Sequence, residues 1–252
     1  MGGMSSQTKT PSEGDFWLDQ PEKSKKKYLV VGGIVLVAAV AAGLFFFLKS
    51  GDKKVETAAV GQFPTTFVPQ SADKDTAKLN AREADPRALT LDEVFGNAKS
   101  VKYRNYRFKL AASKLTDCKS ATWGELLQRN LVANGCNQLL RGAFVSEDQR
   151  NVGQFFVLNM ASAKGSQQAL TDLDPELKAG FVLPLDAAGL KPFGKGFSAA
   201  YAQAIGHYVM ISWMQRADGS SVSLNELIDT SLAVQQEDFA WSRLVLIDPT
   251  GK

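Results

Sequence analysis

The side chains that most often carry acid–base or metal chemistry are scarce in this chain. His207 is the only histidine, so a multi-histidine metal site is excluded and only one imidazole is available as a base. It opens a strongly apolar segment, which favours a packed or turn histidine over a catalytic one. The nucleophile-elbow pattern G-x-S-x-G and the phosphate-binding pattern G-x-x-x-x-G-K-[ST] are both missing. The sequence therefore predicts a protein that is not an enzyme and that holds no cofactor.

Three acidic residues alternate within one short segment, at Asp172, Asp174 and Glu176. Carboxylates at alternate positions can hold a calcium ion loosely. No EF-hand glycine or distal glutamate follows them, and Pro175 marks a turn. The pattern favours solvated acids around a turn, and we predict no metal site.

Two cysteines, Cys118 and Cys136, are the remaining reactive side chains. Catalytic dithiols usually come as C-x-x-C, whereas these two are 18 positions apart and flank a predicted helix. The spacing favours a structural disulfide in an oxidising compartment, with two buried thiols as the alternative. A bridge requires the chain after Cys118 to run back along the helix, because the bridged Cα atoms must approach within about 7 Å.

The helices that position these residues are indicated by their caps. Thr122 and Glu125 have capping-box spacing and predict a helix that ends at Asn134-Gly135. Ser223 and Glu226 repeat this spacing at the start of a second strongly amphipathic helix.

Strands are predicted where apolar residues alternate or dominate. The segment 101–110 alternates but changes phase, which predicts a β-bulge near Arg104 and Asn105. The segment 207–215 is apolar on both faces, which predicts a central strand that is covered on both sides. The further predicted elements are a short helix at 89–96, a hairpin of 138–145 and 154–160, a helix at 163–173, a short apolar run at 181–185, a strand at 196–204 and a strand-like run at 244–247.

These elements together define a fold class. Hairpins require antiparallel pairing, and apolar helix stripes require a sheet to cover. We therefore expect an α+β domain over residues 89–252, with an antiparallel sheet built from hairpins and helices packed on it. The strand–strand–helix order occurs twice, at about 138–173 and 196–235, but the two blocks share too little residue identity to establish a duplication.

A long apolar run precedes this domain. Residues Tyr28–Leu48 carry no charge, and a helix of these 21 residues is about 31 Å long, which matches a hydrocarbon core of about 30 Å. The run is longer than the apolar core of a cleaved signal peptide, and it lacks the polar face of a buried helix in a soluble domain. We predict one uncleaved transmembrane helix, with the lipid bilayer as a partner.

The basic residues around the run predict its orientation. Five lysines precede it, and three follow within twenty residues. The positive-inside rule then puts the N-terminus in the cytoplasm and the C-terminal domain on the extracytoplasmic side of the cell membrane. Residues 49–88 are interrupted by glycine and proline and sustain no apolar period, which predicts a flexible linker.

The N-terminal tail, residues 1–27, is polar and charged and is predicted to be disordered. Phe16, Trp17 and Leu18 stand between two aspartates in this tail. Apolar residues flanked by acids can dock into a groove of a cytoplasmic protein partner. The alternatives are a chance cluster, or Trp17 resting at the membrane interface.

Nucleic acid is not expected as a partner. The 29 basic residues are nearly balanced by 26 acidic ones, and the only dense basic cluster, Lys23–Lys27, flanks the apolar run. A nucleic-acid-binding protein more often concentrates its basic residues on one face of a domain.

Three segments together resemble the single-pass envelope proteins of actinobacteria: KSKKK, the span Tyr28–Leu48 and DCKSATWGELLQRNLVANGC. Proteins of this architecture combine a short charged tail, one anchor, a tether and a small outer α+β domain with a C…GC pair. The resemblance implies a location and a fold, and it does not imply an activity.

Two functions are therefore expected from the sequence. The first is a non-catalytic binding or sensing domain that faces an extracytoplasmic ligand or protein. The alternative is a membrane adaptor whose cytoplasmic tail recruits a cytoplasmic assembly, either envelope machinery or a contractile injection particle. A third possibility, an envelope enzyme, lacks a reactive constellation of residues to support it.

Overall fold

The computed structural model describes residues 61–70, 74–187 and 190–247. The chain divides into two units, residues 1–56 and 57–252, and every described residue belongs to the second unit. No helix within these described ranges is long and apolar enough to span a bilayer.

Several sequence predictions fall outside this part of the chain. The predicted span Tyr28–Leu48, the tail at residues 1–27 and its docking residues Phe16, Trp17 and Leu18 all lie there. They stay predictions, as do the orientation of the chain and its location at the cell membrane.

The described residues form strands, α-helices and three short 3-10 helices. The strands are β1 (Thr66–Gln70), β2 (Ser100–Tyr103), β3 (Tyr106–Thr116), β4 (Thr122–Trp123), β5 (Gln138–Ser146), β6 (Asn151–Asn159), β7 (Phe181–Val182), β8 (Ser198–Ile205) and β9 (Tyr208–Arg216). The α-helices are α1 (Leu91–Phe95), α2 (Glu125–Ala133), α3 (Ala163–Asp172), α4 (Leu224–Val234) and α5 (Asp238–Ile247). The 3-10 helices are Lys74–Leu79, Arg82–Ala84 and Pro175–Leu177.

Seven strands form one curled sheet in the order β1-β8-β9-β6-β5-β3-β2, and β4 pairs with β7 in a small second sheet. All neighbours in the large sheet are antiparallel except β1 and β8. Helix α4 contacts β2 and β3 near one end of this order and β8 and β9 near the other, so the sheet curls around it. The predicted α+β class, with an antiparallel sheet built from hairpins, is confirmed.

The sheet separates two apolar cores. On its concave face, α1, α4 and α5 pack on the strands, and Phe95 and Phe155 are among the buried side chains. On its convex face, α2, α3 and the small sheet pack on the strands, and Leu127 is buried there. Strand β9 contributes to both cores, because Met210 faces the concave side and Trp213 the convex side. The prediction of a central strand covered on both faces is confirmed.

The predicted bulge near Arg104 and Asn105 is wrong. These two residues form a tight turn between β2 and β3, since Tyr103 and Tyr106 are paired across it. Arg104 adopts a positive φ of 51°, which a two-residue hairpin turn requires. The change of apolar phase that suggested a bulge is the reversal of the chain.

A bulge does occur farther along β3, at Ala111. The register with β5 shifts between Leu110 and Ala112. Because side chains alternate along a strand, one extra residue sends every later side chain of β3 to the opposite face from the one that simple alternation predicts.

The predicted linker also requires correction. Residues 66–70 form β1, which pairs in parallel with β8 at the edge of the sheet. Leu79 and Asp85 are buried, and the main-chain nitrogen of His207 donates to the Leu79 carbonyl over 2.8 Å. Residues 61–70 and 74–88 therefore belong to the folded domain, which begins well before residue 89. Residues 49–60 lie outside the described part of the chain.

Two predicted elements are wrong: the helix start at Thr122 and the strand-like run at 244–247. Thr122 does not cap a helix; it lies in β4, and its hydroxyl donates to the Cys118 carbonyl over 2.8 Å. Helix α2 begins after Gly124, whose φ of +92° and contact with the Gly180 backbone exclude a side chain. The strand-like run 244–247 is the last turn of α5.

The predicted disulfide between Cys118 and Cys136 is present, with their Cα atoms 6.1 Å apart. It closes as the spacing required, because the segment from Cys118 to Gly124 runs back beside α2 before the helix begins. The bridge joins the end of β3 to the end of α2, where Gly135 at φ +65° stops the helix.

A candidate ligand-binding groove

The structure places His207 in the tight turn between β8 and β9. The residue is fully buried, its Nδ1 donates to the Leu79 carbonyl over 2.6 Å, and its ring stacks near Tyr208. Burial lowers the pKa of His207, so the imidazole stays neutral in this site. The interpretation as a packed turn histidine is confirmed by this position.

The three acids of the 172–176 segment do not converge on one point. Asp172 accepts hydrogen bonds from the amides of Asn130 and Gln168, both over 2.9 Å. Asp174 caps a 3-10 helix by accepting from the main-chain nitrogen of Glu176. No cluster of potential metal ligands occurs among the residues that the structure describes. The acids serve the local structure.

A buried ion cluster on the concave side was not anticipated from the sequence. Arg243 of α5 donates to both carboxylate oxygens of Glu93, to Asp85 over 2.8 Å and to the Tyr208 hydroxyl over 3.1 Å. It also donates to two main-chain carbonyls just before α1. These contacts bind α5 to the chain before α1. The cluster is structural, because each nitrogen of the guanidinium already donates to protein oxygens and no donor remains for a ligand.

A groove of about 450 Å³ lies on the concave face, between α4 and strands β1, β8 and β9. Its floor follows one row of the sheet, in which Val68, Tyr201, Ser212 and Phe155 are successive cross-strand partners. Its roof comes from α4 and the connection to α5. Its apolar lining consists mainly of Val68, Phe155, Met210, Ile228 and Leu232. A groove of this volume and lining is typical of a small-molecule site.

Three hydroxyl groups in the groove make no hydrogen bond within the described part of the chain. The Tyr201 hydroxyl is buried without a partner, and burial raises the pKa of this phenol, so it remains a donor. Ser212, its direct neighbour on β9, and Ser231 on α4 are each 3% exposed and are likewise unbonded. Buried polar groups are normally hydrogen-bonded in native proteins, so the buried Tyr201 hydroxyl indicates a missing partner, and the two serines stand beside it.

The rim of the groove carries one carboxylate. Oε2 of Glu237 accepts hydrogen bonds from Gln203 over 2.6 Å and from Gln235 over 2.9 Å. Its second oxygen makes no hydrogen bond to a described residue. No basic side chain lines the groove. Electrostatics therefore favour a neutral or cationic ligand and disfavour an anion.

Sequence reasoning missed the groove for a physical reason. Its floor combines strands that are far apart in the chain, since Val68 and Tyr201 are partners only through the parallel pairing of β1 and β8. One signal was available: Ser212 interrupts the apolar segment that becomes β9. A hydroxyl inside a strand that is buried on both faces requires a partner.

No protein-family model matches this chain, and neither a curated protein nor a solved structure is significantly similar to it.

Proposed function

We propose that the protein is a non-catalytic binding module, and that its domain takes a small, largely apolar ligand in the concave groove. The ligand is neutral or cationic and carries at least one hydrogen-bonding group. The observation that carries the proposal is the set of three unbonded hydroxyls, Tyr201, Ser212 and Ser231, around an apolar groove. The Tyr201 hydroxyl lost its hydration on burial, and a ligand that bonds it recovers that free energy, while Ser212 and Ser231 offer two further hydroxyls to the same ligand.

The location belongs to the same proposal. The apolar run Tyr28–Leu48 supports a single membrane span, and the lysines around it support an extracytoplasmic position for the domain. The resemblance to actinobacterial envelope proteins supports the same arrangement. The groove then samples small molecules outside the cytoplasm.

The test uses matched probes of similar size and different charge: naphthylmethylamine, naphthylmethanol and naphthoate. The full chain, reconstituted in lipid nanodiscs, is titrated with each probe, and amide hydrogen exchange is followed in β8 and α4. Amide exchange in these two elements reports binding at the groove, and it is not changed by probe molecules that partition into the lipid. We expect the amine and the alcohol to slow exchange at both elements, and the naphthoate to bind at least tenfold more weakly.

Two variants of α4 give the control. Ser231→Leu fills the groove without removing a hydrogen bond and should weaken binding at least tenfold. Asn225→Leu places a leucine on the exposed side of α4, outside the groove, and should leave binding unchanged. If no probe slows exchange, or if Ser231→Leu binds as well as the parent chain, the groove is not a ligand site.

The adaptor function is the alternative, and its support comes only from the sequence. Phe16, Trp17 and Leu18 lie between two acids in the tail. A pull-down with residues 1–27 tests this function, because failure to recover any cytoplasmic protein removes its basis.

A further inference from the structure

A second surface of the domain is strongly basic and takes no part in the groove. Lys102 of β2 and Arg107, Lys109 and Lys114 of β3 are all exposed. They share the convex face of the sheet, because their strand neighbours Val101, Phe108 and Leu110 point into the concave core. We call these four residues the cationic face.

The bulge at Ala111 completes this face. Arg107 and Lys109 stand at alternate positions of β3, and simple alternation would send Lys114 to the concave side. The extra residue at Ala111 reverses the phase, so Lys114 pairs with Arg141 and points to the convex side. Bulges re-aim side chains in this manner, and here one adds a fourth charge to three others.

The charges on this face oppose one another directly. Lys102 is the cross-strand partner of Arg107, and Lys114 is the partner of Arg141. Like charges in directly opposite positions destabilise a sheet. Among the described residues of this face, one weak ion pair offsets the repulsion: Lys109 lies 3.9 Å from the exposed Glu147.

Arg141 adds to the unbalanced charge at the inner margin of the face. It is 8% exposed, Nη1 donates to the Leu183 carbonyl over 3.1 Å, and its Nε has no partner. It forms no ion pair with any described residue. Burial lowers the pKa of Arg141, and the nearby carboxylate of Asp186 offsets this only in part. A buried guanidinium without a carboxylate in direct contact is costly, so an anionic partner at this face would recover free energy.

We propose that the cationic face binds the anionic phospholipid surface of the membrane to which the chain is anchored. This inference rests on the membrane anchor of the proposed function and is independent of the groove. Basic residues that come close to an anionic lipid surface are attracted to its headgroups, about fivefold in binding constant for each charge. The predicted span ends at Leu48, and residues 49–60 extend at most about 45 Å, so the described domain stays within reach of the bilayer.

The residue composition of the cationic face favours a lipid surface over single-stranded nucleic acid. Its uncharged members on β2 and β3 are Ser100, Ala112 and Thr116, and both tyrosines of this hairpin point to the other side. A single-stranded nucleic acid would require aromatic side chains on which bases stack. A surface of exposed cations without stacking residues suits a layer of phosphates.

The experiment measures how fast lysines react with a neutral acylating reagent in the full chain. The chain is reconstituted in nanodiscs of phosphatidylcholine, or of phosphatidylcholine with phosphatidylglycerol, and acylation is quantified by mass spectrometry. We expect the acylation rates of Lys102, Lys109 and Lys114 to fall at least fivefold in the anionic discs and to recover at high salt. Exposed lysines elsewhere on the domain, Lys164 and Lys178, are internal controls and should keep their rates.

Replacement of Arg107 gives a second test, because it removes one charge from the cationic face and keeps the three lysines whose acylation is measured. Arg107→Gln should lower the equilibrium constant for the protected state about fivefold. Arg129→Gln, on the exposed side of α2, removes the same charge elsewhere and should leave protection unchanged.

Three outcomes would overturn the proposal. They are equal rates in the two kinds of disc, an equal fall for all lysines, and protection by single-stranded RNA in neutral discs without protection by anionic lipid. A chain that fails to enter neutral discs contradicts the anchor alone, because protection by added anionic vesicles can still be measured.

Discussion

Replacement of tyrosine by phenylalanine should affect stability differently at two positions on the concave face, Tyr201 and Tyr208. The Tyr201 hydroxyl is buried and unbonded, whereas the Tyr208 hydroxyl accepts from Arg243 over 3.1 Å and lies 3.4 Å from Asp85. Tyr201→Phe removes a hydroxyl that gains nothing in the folded state, so the free energy of unfolding should stay unchanged or rise by up to about 1 kcal/mol. Tyr208→Phe leaves a buried guanidinium and carboxylate short of one partner and should cost about 1–3 kcal/mol.

The measurement is urea unfolding of the full chain in detergent, followed by tryptophan fluorescence, since Trp213 is fully buried. We expect the two variants to differ by about 1–4 kcal/mol, which is roughly a factor of 5 to 900 in the unfolding equilibrium constant. If Tyr201→Phe costs as much as Tyr208→Phe, then the Tyr201 hydroxyl has a partner in the folded protein. The groove would then lose the observation on which the proposed function depends.

Three further predictions concern stability. Replacing Cys118 and Cys136 by alanine should lower the free energy of unfolding by about 3 kcal/mol, as for a closed loop of this length, and a variant as stable as the parent would contradict it. Arg243→Met should cost about 3 kcal/mol in urea unfolding because Asp85 and Glu93 both lose their buried partner, with only the half-exposed Arg87 remaining on Asp85, and a loss below about 1 kcal/mol would argue against the ion cluster. Burial raises the pKa of Tyr208 to about 12, so the stability it contributes is present below about pH 10 and is lost between there and about pH 12; Tyr208→Phe should flatten this decline in base titrations.

Elements with local signals were predicted well. Helix α4 begins where Ser223 accepts a hydrogen bond from the main-chain nitrogen of Glu226, as its capping spacing indicates. The β5–β6 and β8–β9 hairpins join strands that are adjacent in sequence, so their apolar patterns and turns identify both partners. Such signals involve residues a few positions apart, and the sequence displays them directly.

Elements defined by distant partners were not predicted. Strand β1 is five residues long and contains Pro69, and its partner β8 begins more than a hundred residues later. Helix α5 is anchored by Arg243 to residues before α1, and its last four residues are apolar enough to resemble a strand. The bulge at Ala111 lies between a leucine and an alanine, where no large side chain marks the change of phase. Tertiary contacts decide each of these cases.

The groove and the cationic face can act at the same time, because they occupy opposite faces and opposite ends of one sheet. The groove lies over β1, β8 and β9, and the cationic face lies on β2 and β3. Four strand spacings separate β8 from β3 along the sheet, and the side chains of the cationic face point away from the side on which the groove lies. Contact between the cationic face and a lipid surface therefore leaves the mouth of the groove open, and Arg107→Gln should leave the affinity of the groove for naphthylmethylamine unchanged.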